Sequence, residues 1–370
     1  MNKSKNIFFW SPFLSNVGTK LAVTNSIEIL KDKTKNKIFL INLMGEFEDF
    51  SYKGVKKITF LNIKDILPQN GLLSKISIWT ISIISIPWLI ITLKKNNADI
   101  IISNLISIIP LFANKFLKIK IICSIQGYPK FTSFRKFLWK LFYKKSNLII
   151  TMSNITKNEI SQKIGIKRNI IKINNPIMDK KVIKLSKKKI DHKEIKIFKK
   201  DTFICIGRLT RQKNFKVAIK SFINFNKIMD FKYNLVILGE GEEEKELKSI
   251  SSTHEQNIFF LGYKKNPYNY IKSSKLLLST SLWEDPGHAL IEAAYLKVPI
   301  VTSNCPAGPK EIFNSNNSIK YNKHQKDLEK KLIKFSKLKK AEIENLKINA
   351  YQTSKKFSKD EFFKKIIKFL

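Results

Sequence analysis

Residues 203–215 read FICIGRLTRQKNF. Four apolar residues, Phe203 to Ile206, stop at Gly207; a basic loop follows, and Asn214 stands where it can cap a helix beginning near Phe215. A strand that is apolar without alternation is covered on both faces, as parallel strands between helical layers are. Similar runs recur on either side of this one. Toward the C-terminus they are Leu235–Leu238, Ile258–Leu261, Leu276–Ser279 and Ile300–Ser303. Toward the N-terminus they are Asn6–Trp10, Ile38–Leu43, Ile58–Ile63, Ile100–Ser103, Ile121–Ile125, Leu148–Met152 and Ile170–Ile173. Helical segments lie between them, so the chain reads as α/β, assembled from βαβ units in doubly wound sheets.

The two groups of strands are separated by Met178–Lys200, MDKKVIKLSKKKIDHKEIKIFKK, which is dense in Lys, lacks a clear period and reads as an exposed linker. Two Rossmann-like domains are therefore expected, residues 1–185 and 186–350, followed by a C-terminal helix, 351–370, that can pack back on the first domain. The stretch Gln325–Leu370 is charged and helical, with Phe357, Phe362, Phe363, Ile366, Ile367 and Leu370 as its packing face.

Length agrees: 370 residues at roughly 150 per domain suit two domains. A 43% hydrophobic share excludes a wholly disordered chain. The net charge is +40, yet only Arg135, Arg168, Arg208 and Arg211 are Arg; the other cations are Lys. Readers of base edges lean on Arg, whereas dispersed Lys supports diffuse attraction to anions. The excess reads as compositional bias with some attraction to an anionic surface, and the charge alone names no partner. Cys123, Cys205 and Cys305 are far apart and sit in or beside apolar runs, as buried reduced thiols do, and no CxxC or Cys/His cluster marks a zinc site.

The N-terminal run MNKSKNIFFWSPFLSNVGTK is interrupted by Trp10 and Pro12 and lacks a small-residue cleavage site, so no export signal is expected. Ile76–Leu93 is uncharged but carries Pro87, three Ser and two Thr; a buried or interfacial helix is expected rather than a span.

Ligands of open parallel sheets gather at the carboxyl ends of strands, where helix N-termini also point. Four segments fit that place. In Cys205–Phe215, Arg208 and Lys213 flank a helix start, a combination that suits a diphosphate. In Trp283–Ala293, WEDPGHALIEA, Gly287 opens a helix, and Glu284 and Glu292 are eight residues apart. Treated as helical, that spacing puts them on one side of a cleft at depths differing by at most about 12 Å; their carboxylates can accept hydrogen bonds from sugar hydroxyls. Ile258–Tyr270, IFFLGYKKNPYNY, offers a wall for a base or a plain strand–turn–helix link. Ser303–Glu311, SNCPAGPKE, shapes a turn after a strand, with a structural role as the simpler reading.

Taken together and in this order, GRLTRQKNF, LVILGEGEEEKEL, FFLGYKKNPYNY, EDPGHALIEA and VPIVTSNCPAGPKEI resemble the retaining family-4 (group 1) glycosyltransferases of the GT-B fold, as found in bacterial surface-polysaccharide synthesis. The likeness is close over about residues 201–315. It implies two Rossmann-like domains facing across a cleft. It also implies transfer of a sugar from a nucleotide-diphosphate sugar, UDP- or GDP-linked, to a glycan acceptor, with retention of configuration. Carried over, Arg208 and Lys213 bind the diphosphate and Glu292 the ribose. Glu284, with the backbone of Gly287, His288 and Ala289, surrounds the transferred sugar, and Gly262 and Tyr263 lie near the base.

The first half resembles the family less closely. SPFLSNVGTK matches the loop after the first strand, with Gly18 giving the diphosphate and acceptor close access, and SIQGYPKF resembles an acceptor-side loop containing Gln126 and Gly127. Family members often have a His in that loop; here Gln126 stands instead, and the first histidine of the chain is His192. In the same-face mechanism proposed for retaining enzymes the leaving diphosphate oxygen takes the acceptor proton. Arg208 and Lys213 would then stabilise its charge electrostatically, with no metal and no resident cofactor.

The Lys-rich surface, Ile76–Leu93 and the aromatic basic segment Phe131–Lys145, FTSFRKFLWKLFYKK, suit docking of a lipid-linked acceptor's enzyme on an anionic membrane, at the inner face of the plasma membrane. The simpler reading of Phe131–Lys145 is an amphipathic core helix. Two rivals follow from the same residues: a nucleotide-sugar epimerase of the same fold, and a non-enzymatic basic protein that binds nucleic acid.

Overall fold

The computed structural model describes residues 4–14, 18–69 and 71–370. The chain forms two units: the first is Met1–Pro176 together with Lys359–Leu370, the second Ile177–Ser358. The division falls at 176 and 358 rather than at 185 and 350.

In the first unit β1 (Asn6–Trp10) leads through α1 (Gly18–Lys33) to β2 (Lys37–Asn42) and β3 (Val55–Thr59). Helices α2 (Gly71–Ile84) and α3 (Ile86–Lys95) lead to β4 (Ile100–Ser103), and α4 (Ile108–Ala113) to β5 (Lys120–Ile125). Then come α5 (Ser133–Phe142), β6 (Leu148–Thr151), α6 (Asn154–Ile164) and β7 (Ile170–Lys172). These strands make one sheet in the order β3-β2-β1-β4-β5-β6-β7. Every pairing in it is parallel.

The second unit contains α7 (Lys180–Ser186), β8 (Asp201–Ile206), α8 (Phe215–Ile228), β9 (Tyr233–Leu238), α9 (Glu244–Ser251), β10 (Ile258–Phe260) and α10 (Tyr268–Ser273). It continues with β11 (Leu276–Ser279), α11 (His288–Tyr295), β12 (Ile300–Ser303), α12 (Gly308–Ile312), β13 (Ile319–Tyr321), α13 (Gln325–Ser336) and α14 (Lys340–Ser354). Its sheet runs β10-β9-β8-β11-β12-β13. It too is parallel throughout.

Both orders reverse direction once, between β1 and β4 and between β8 and β11. Connections leaving the two central strands diverge there, opening a crevice at their carboxyl ends. Burial explains why the central strands are apolar on both faces: Phe203, Ile204 and Cys205 are completely buried, with side chains alternating between two cores. The Phe203 ring stacks on Phe225 at 5.5 Å and meets Phe222, Tyr233 and Phe335. All three cysteines are buried and unpaired, and burial pushes their thiols up.

Three elements differ from expectation. Strand β3 is VKKIT, earlier than the apolar run at Ile58–Ile63; as an edge strand it leaves Lys56 exposed and carries little apolar signal. Strand β13, IKY, is a three-residue edge strand. The Lys-rich segment Met178–Lys200 is not a solvated linker. It forms α7, buries Val182 and Ile190 in the second core, and is fastened by Lys264 to Glu194 at 2.6 Å and by Asn266 to the Leu185 carbonyl at 3.0 Å.

The aromatic face expected along the C-terminal stretch is divided between the units. Phe357 is buried in the second. Helix α15 (Lys359–Ile366) buries Phe362 and Ile366 against α1 in the first, with Lys359 bonded to Glu28 at 2.6 Å.

Candidate active site

The loop after β8 and the loop after β11 meet at the crevice of the second unit. Gly207 ends β8 with φ +150°, and a Cβ there would lie 2.7 Å from Lys213 Cε. The glycine is what lets the Lys213 stem fold back under the strand end. Its ammonium pairs with Glu284, which is buried and also accepts a 3.0 Å hydrogen bond from Ser281 Oγ. The two loops are tied further by Gln212, whose Nε2 donates to the Trp283 carbonyl at 2.9 Å, and by Thr280 Oγ1 donating to the Lys213 carbonyl at 2.8 Å. A concavity lined by Ile206, Lys213, Ser281, Glu284, Gly287 and Ala289 lies at this junction.

Ser303–Glu311 supports the same point. The Gly308 amide donates to the Glu284 carbonyl at 2.8 Å, Glu284 bridges to Ala307, and Ser303 Oγ donates to the Ser281 carbonyl at 2.6 Å. A Cβ at Gly308 would fall 2.3 Å from the Pro286 carbonyl oxygen, so only glycine allows this approach.

Arg208 is exposed, and its side chain makes no hydrogen bond or ion pair with the described residues. Neighbouring strand ends are held in a row: the Gly207 amide donates to the Leu238 carbonyl at 3.0 Å and the Gly239 amide to the Gly262 carbonyl at 2.9 Å. Gly262 has φ +67°, and the amide of the half-exposed Tyr263 donates to Glu240 at 3.2 Å.

Gly287, φ +92°, opens α11. His288 Nδ1 is buried without a hydrogen-bond partner among the described residues, and burial holds the imidazole down at about 4, so it is neutral at pH 7. Glu292 is buried on the same helix, and burial raises its carboxyl to about 7, against the opposing pull of the Tyr268 hydroxyl and the Lys213 charge.

The sign of that shift gives a test. The folded chain keeps a proton on Glu292 that the unfolded chain loses near 4.5. Its contribution to stability is thus complete below about 4.5 and is lost as pH rises through about 7. Glu292→Gln should flatten that part of the stability curve, read by thermal melts across the interval; an unchanged slope would contradict a neutral Glu292.

Two local expectations need correction. Asn214 does not cap α8 with its side chain. It sits in the left-handed region at φ 51°, and only its carbonyl serves the first turn, accepting from Val217 at 3.1 Å. The helical argument for Glu284 and Glu292 also fails, because Glu284 lies before the helix, in a loop bridged to Ala307. Sequence reading missed Ser281, Gln212 and Tyr268; Tyr268 and Gln212 lay inside segments already singled out, but no spacing rule marks them.

In the first unit Gly18 is the exposed first residue of α1, and the loop residues 15–17 before it lie outside the described residues. Gln126 follows β5 and is tied to its neighbours. Its Nε2 donates to Ser124 Oγ at 2.7 Å and Asn104 Oδ1 at 3.2 Å, and its Oε1 accepts from Asn175 at 2.8 Å. Beside it, a Cβ on Gly127 would meet open space.

Two doubly wound parallel units, the second with a cation–carboxylate pair at its switch point, have the architecture of the GT-B fold. Residues 186–353 match the family described as glycosyl transferases group 1. An uncharacterized glycosyltransferase of Methanocaldococcus jannaschii is 31% identical over 228 residues, 56% of this chain and 55% of that one. A Campylobacter jejuni enzyme is 28% identical over 181 residues, 48% of this chain and 47% of its own length. Its name is N-acetylgalactosamine-N,N'-diacetylbacillosaminyl-diphospho-undecaprenol 4-alpha-N-acetylgalactosaminyltransferase. The chain thus spans about half the length of these curated relatives. Among solved structures, Anabaena HepE in complex with UDP superposes with a TM-score of 0.75 at 16% identity, covering 98% of each chain. Residues 186–353, within the second unit, thus match the group 1 glycosyltransferases, and the chain as a whole has the GT-B fold.

Proposed function

We propose that the protein transfers a sugar from a UDP- or GDP-linked donor to a glycan acceptor carried on a lipid, with retention of configuration, in the assembly of a cell-surface polysaccharide. The observation that carries the reading is the Lys213–Glu284 pair, set at the switch point beside an Arg208 with no partner among the described residues. A diphosphate entering there brings negative charge to two cations, and Glu284 already holds one of them in place. The name of the Campylobacter relative, which includes a diphospho-undecaprenol acceptor, supports a lipid-linked acceptor here and, with the chain's basic character, work at the inner face of the plasma membrane.

In this reading Arg208 and Lys213 neutralise the leaving diphosphate without a metal ion, and the leaving oxygen accepts the acceptor's proton. Glu292 meets the ribose, and Gly262 and Tyr263 flank the base. Glu284, the neutral His288 and the Gly287 and Ala289 backbone surround the sugar. Gly18, Gln126 and Gly127 serve the acceptor side.

Calorimetric titration with UDP, GDP, ADP and dTDP, with EDTA present, tests the donor site. One nucleotide should bind, and Glu292→Ala, which removes the carboxyl proposed to meet the ribose, should weaken it about 10-fold, as expected for losing roughly one hydrogen bond's worth of binding. Binding of none by folded protein would overturn the reading. Product analysis by NMR separates transfer from epimerisation, since an epimerase converts the donor with no acceptor present.

A further inference from the structure

Helix α2 turns little of its apolar surface inward: Ile81 is its one buried apolar residue. Ser74 and Ser82 are buried, as is Ser85 just beyond its end, while Leu72, Ile76, Trp79 and Ile83, which repeat at helical spacing, face solvent. Leu72 is 70% and Ile83 53% exposed, whereas Ser82 is fully buried. A helix that covered only its own unit would turn more of its apolar residues inward. No single described helix is long and apolar enough to cross a membrane; α2 and α3 pass such a test only together and are bent by 52°. At about 1.5 Å per residue, α2 is some 21 Å long against a hydrocarbon core of about 30 Å. Helix α3 meanwhile is anchored through Leu89 and Leu93 in the core of the first unit. This geometry fits a helix lying in an interface, with its far side fixed to the protein.

The neighbouring helices extend the same character. Helix α3 packs on α4 and α4 on α5. Helix α5 does not turn its apolar stripe inward as an amphipathic core helix would: Trp139 is its one buried residue, and Phe134, Phe137 and Leu141 are exposed alongside Arg135 and Lys140. Between residues 71 and 145 there are twelve Lys and Arg and a single acid, Asp99. That carboxylate is turned to the Asn6 amide at 2.7 Å. Exposed apolar side chains beside the exposed Lys75, Arg135 and Lys140 match a layer of anionic headgroups over hydrocarbon. They do not match a second copy of a chain carrying +40.

We propose that this face of the first unit is a membrane-docking surface, on which Leu72, Ile76, Trp79 and Ile83 enter the headgroup–acyl boundary of an anionic bilayer while Lys75, Lys140 and their neighbours hold the phosphates. The inference deepens the proposed function by naming where the chain meets the membrane that carries a lipid-linked acceptor.

The test is flotation of the full chain with phosphatidylglycerol–phosphatidylcholine vesicles and with pure phosphatidylcholine. Wild type should bind the anionic vesicles, with salt weakening the binding, and Ile76→Glu/Ile83→Glu should lower the partition coefficient at least about 10-fold. Brominated lipid should quench wild type more than Trp79→Phe, a readout that does not depend on the double variant folding. Equal binding to neutral vesicles, unchanged binding of the variant, equal quenching, or a solution dimer that the variant dissociates would each overturn the proposal. Vesicle binding needs no nucleotide and nucleotide binding needs no vesicle, so failure here and failure of the donor-site reading are separately visible.

Discussion

Replacing Arg208 by alanine is expected to lower turnover by about 10²- to 10³-fold, the range seen when one preorganised donor to a developing oxyanion is removed, or about 2.7–4 kcal/mol of barrier. The melting temperature should not change, because the side chain is exposed and bonded to nothing described in the folded chain. The loss should fall mainly on kcat, since charge on the bridging oxygen grows only as the glycosidic bond breaks. Turnover of the variant is measured with the nucleotide found by calorimetry. Wild-type turnover would remove Arg208 from the mechanism and leave Lys213 as the sole cation assigned to the diphosphate.

Lys213→Ala should be more damaging, and for two separable reasons. Its ammonium is the partner of Glu284, whose carboxylate is buried. Removing the cation leaves that charge uncompensated, at a cost of about 3–5 kcal/mol. It also takes away a charge proposed to meet the leaving diphosphate. The double variant Lys213→Ala/Glu284→Gln separates the two: it should recover much of the lost stability, because no buried charge is left alone, and none of the lost turnover. Chemical denaturation and steady-state rates on the four proteins of the cycle read this directly. Recovery of activity together with stability would mean that Lys213 acts only as a structural partner. The close approach of Lys213 Cε to Gly207 adds that a side chain at 207 would displace the ammonium from outside the pair.

Much of this site was legible because its chemistry is local. A continuously apolar strand, a glycine at its end and cations before a helix occur together within FICIGRLTRQKNF, and short-range sterics and the helix dipole need nothing from elsewhere in the chain. Parallel strands reveal themselves in the same way, since burial on both faces leaves no polar alternation. The exceptions are edge strands: β3 and β13 lie at the sheet margins, where one side stays open and VKKIT can carry two lysines. The Lys-rich segment 178–200 was misread for a related reason. Its few apolar residues, Val182 and Ile190 among them, are buried by a surface that only the folded second unit provides.

The sequence by itself determined the α/β class, the pair of doubly wound units, and the residue types gathered at the strand ends of the second. Each of these follows from interactions between residues near one another in the chain. Only the tertiary structure decided which of them meet. It joined Lys213 to Glu284 across 71 residues, set Ser281 on that carboxylate and the Gly308 amide on the Glu284 backbone carbonyl, and brought the Tyr268 hydroxyl to bear on Glu292. It also returned α15 to the first unit and left the apolar stripe of α2 facing outward. Pairings of that kind depend on sheet order and helix docking, where burial and charge compensation are summed over the whole fold rather than over a window of sequence.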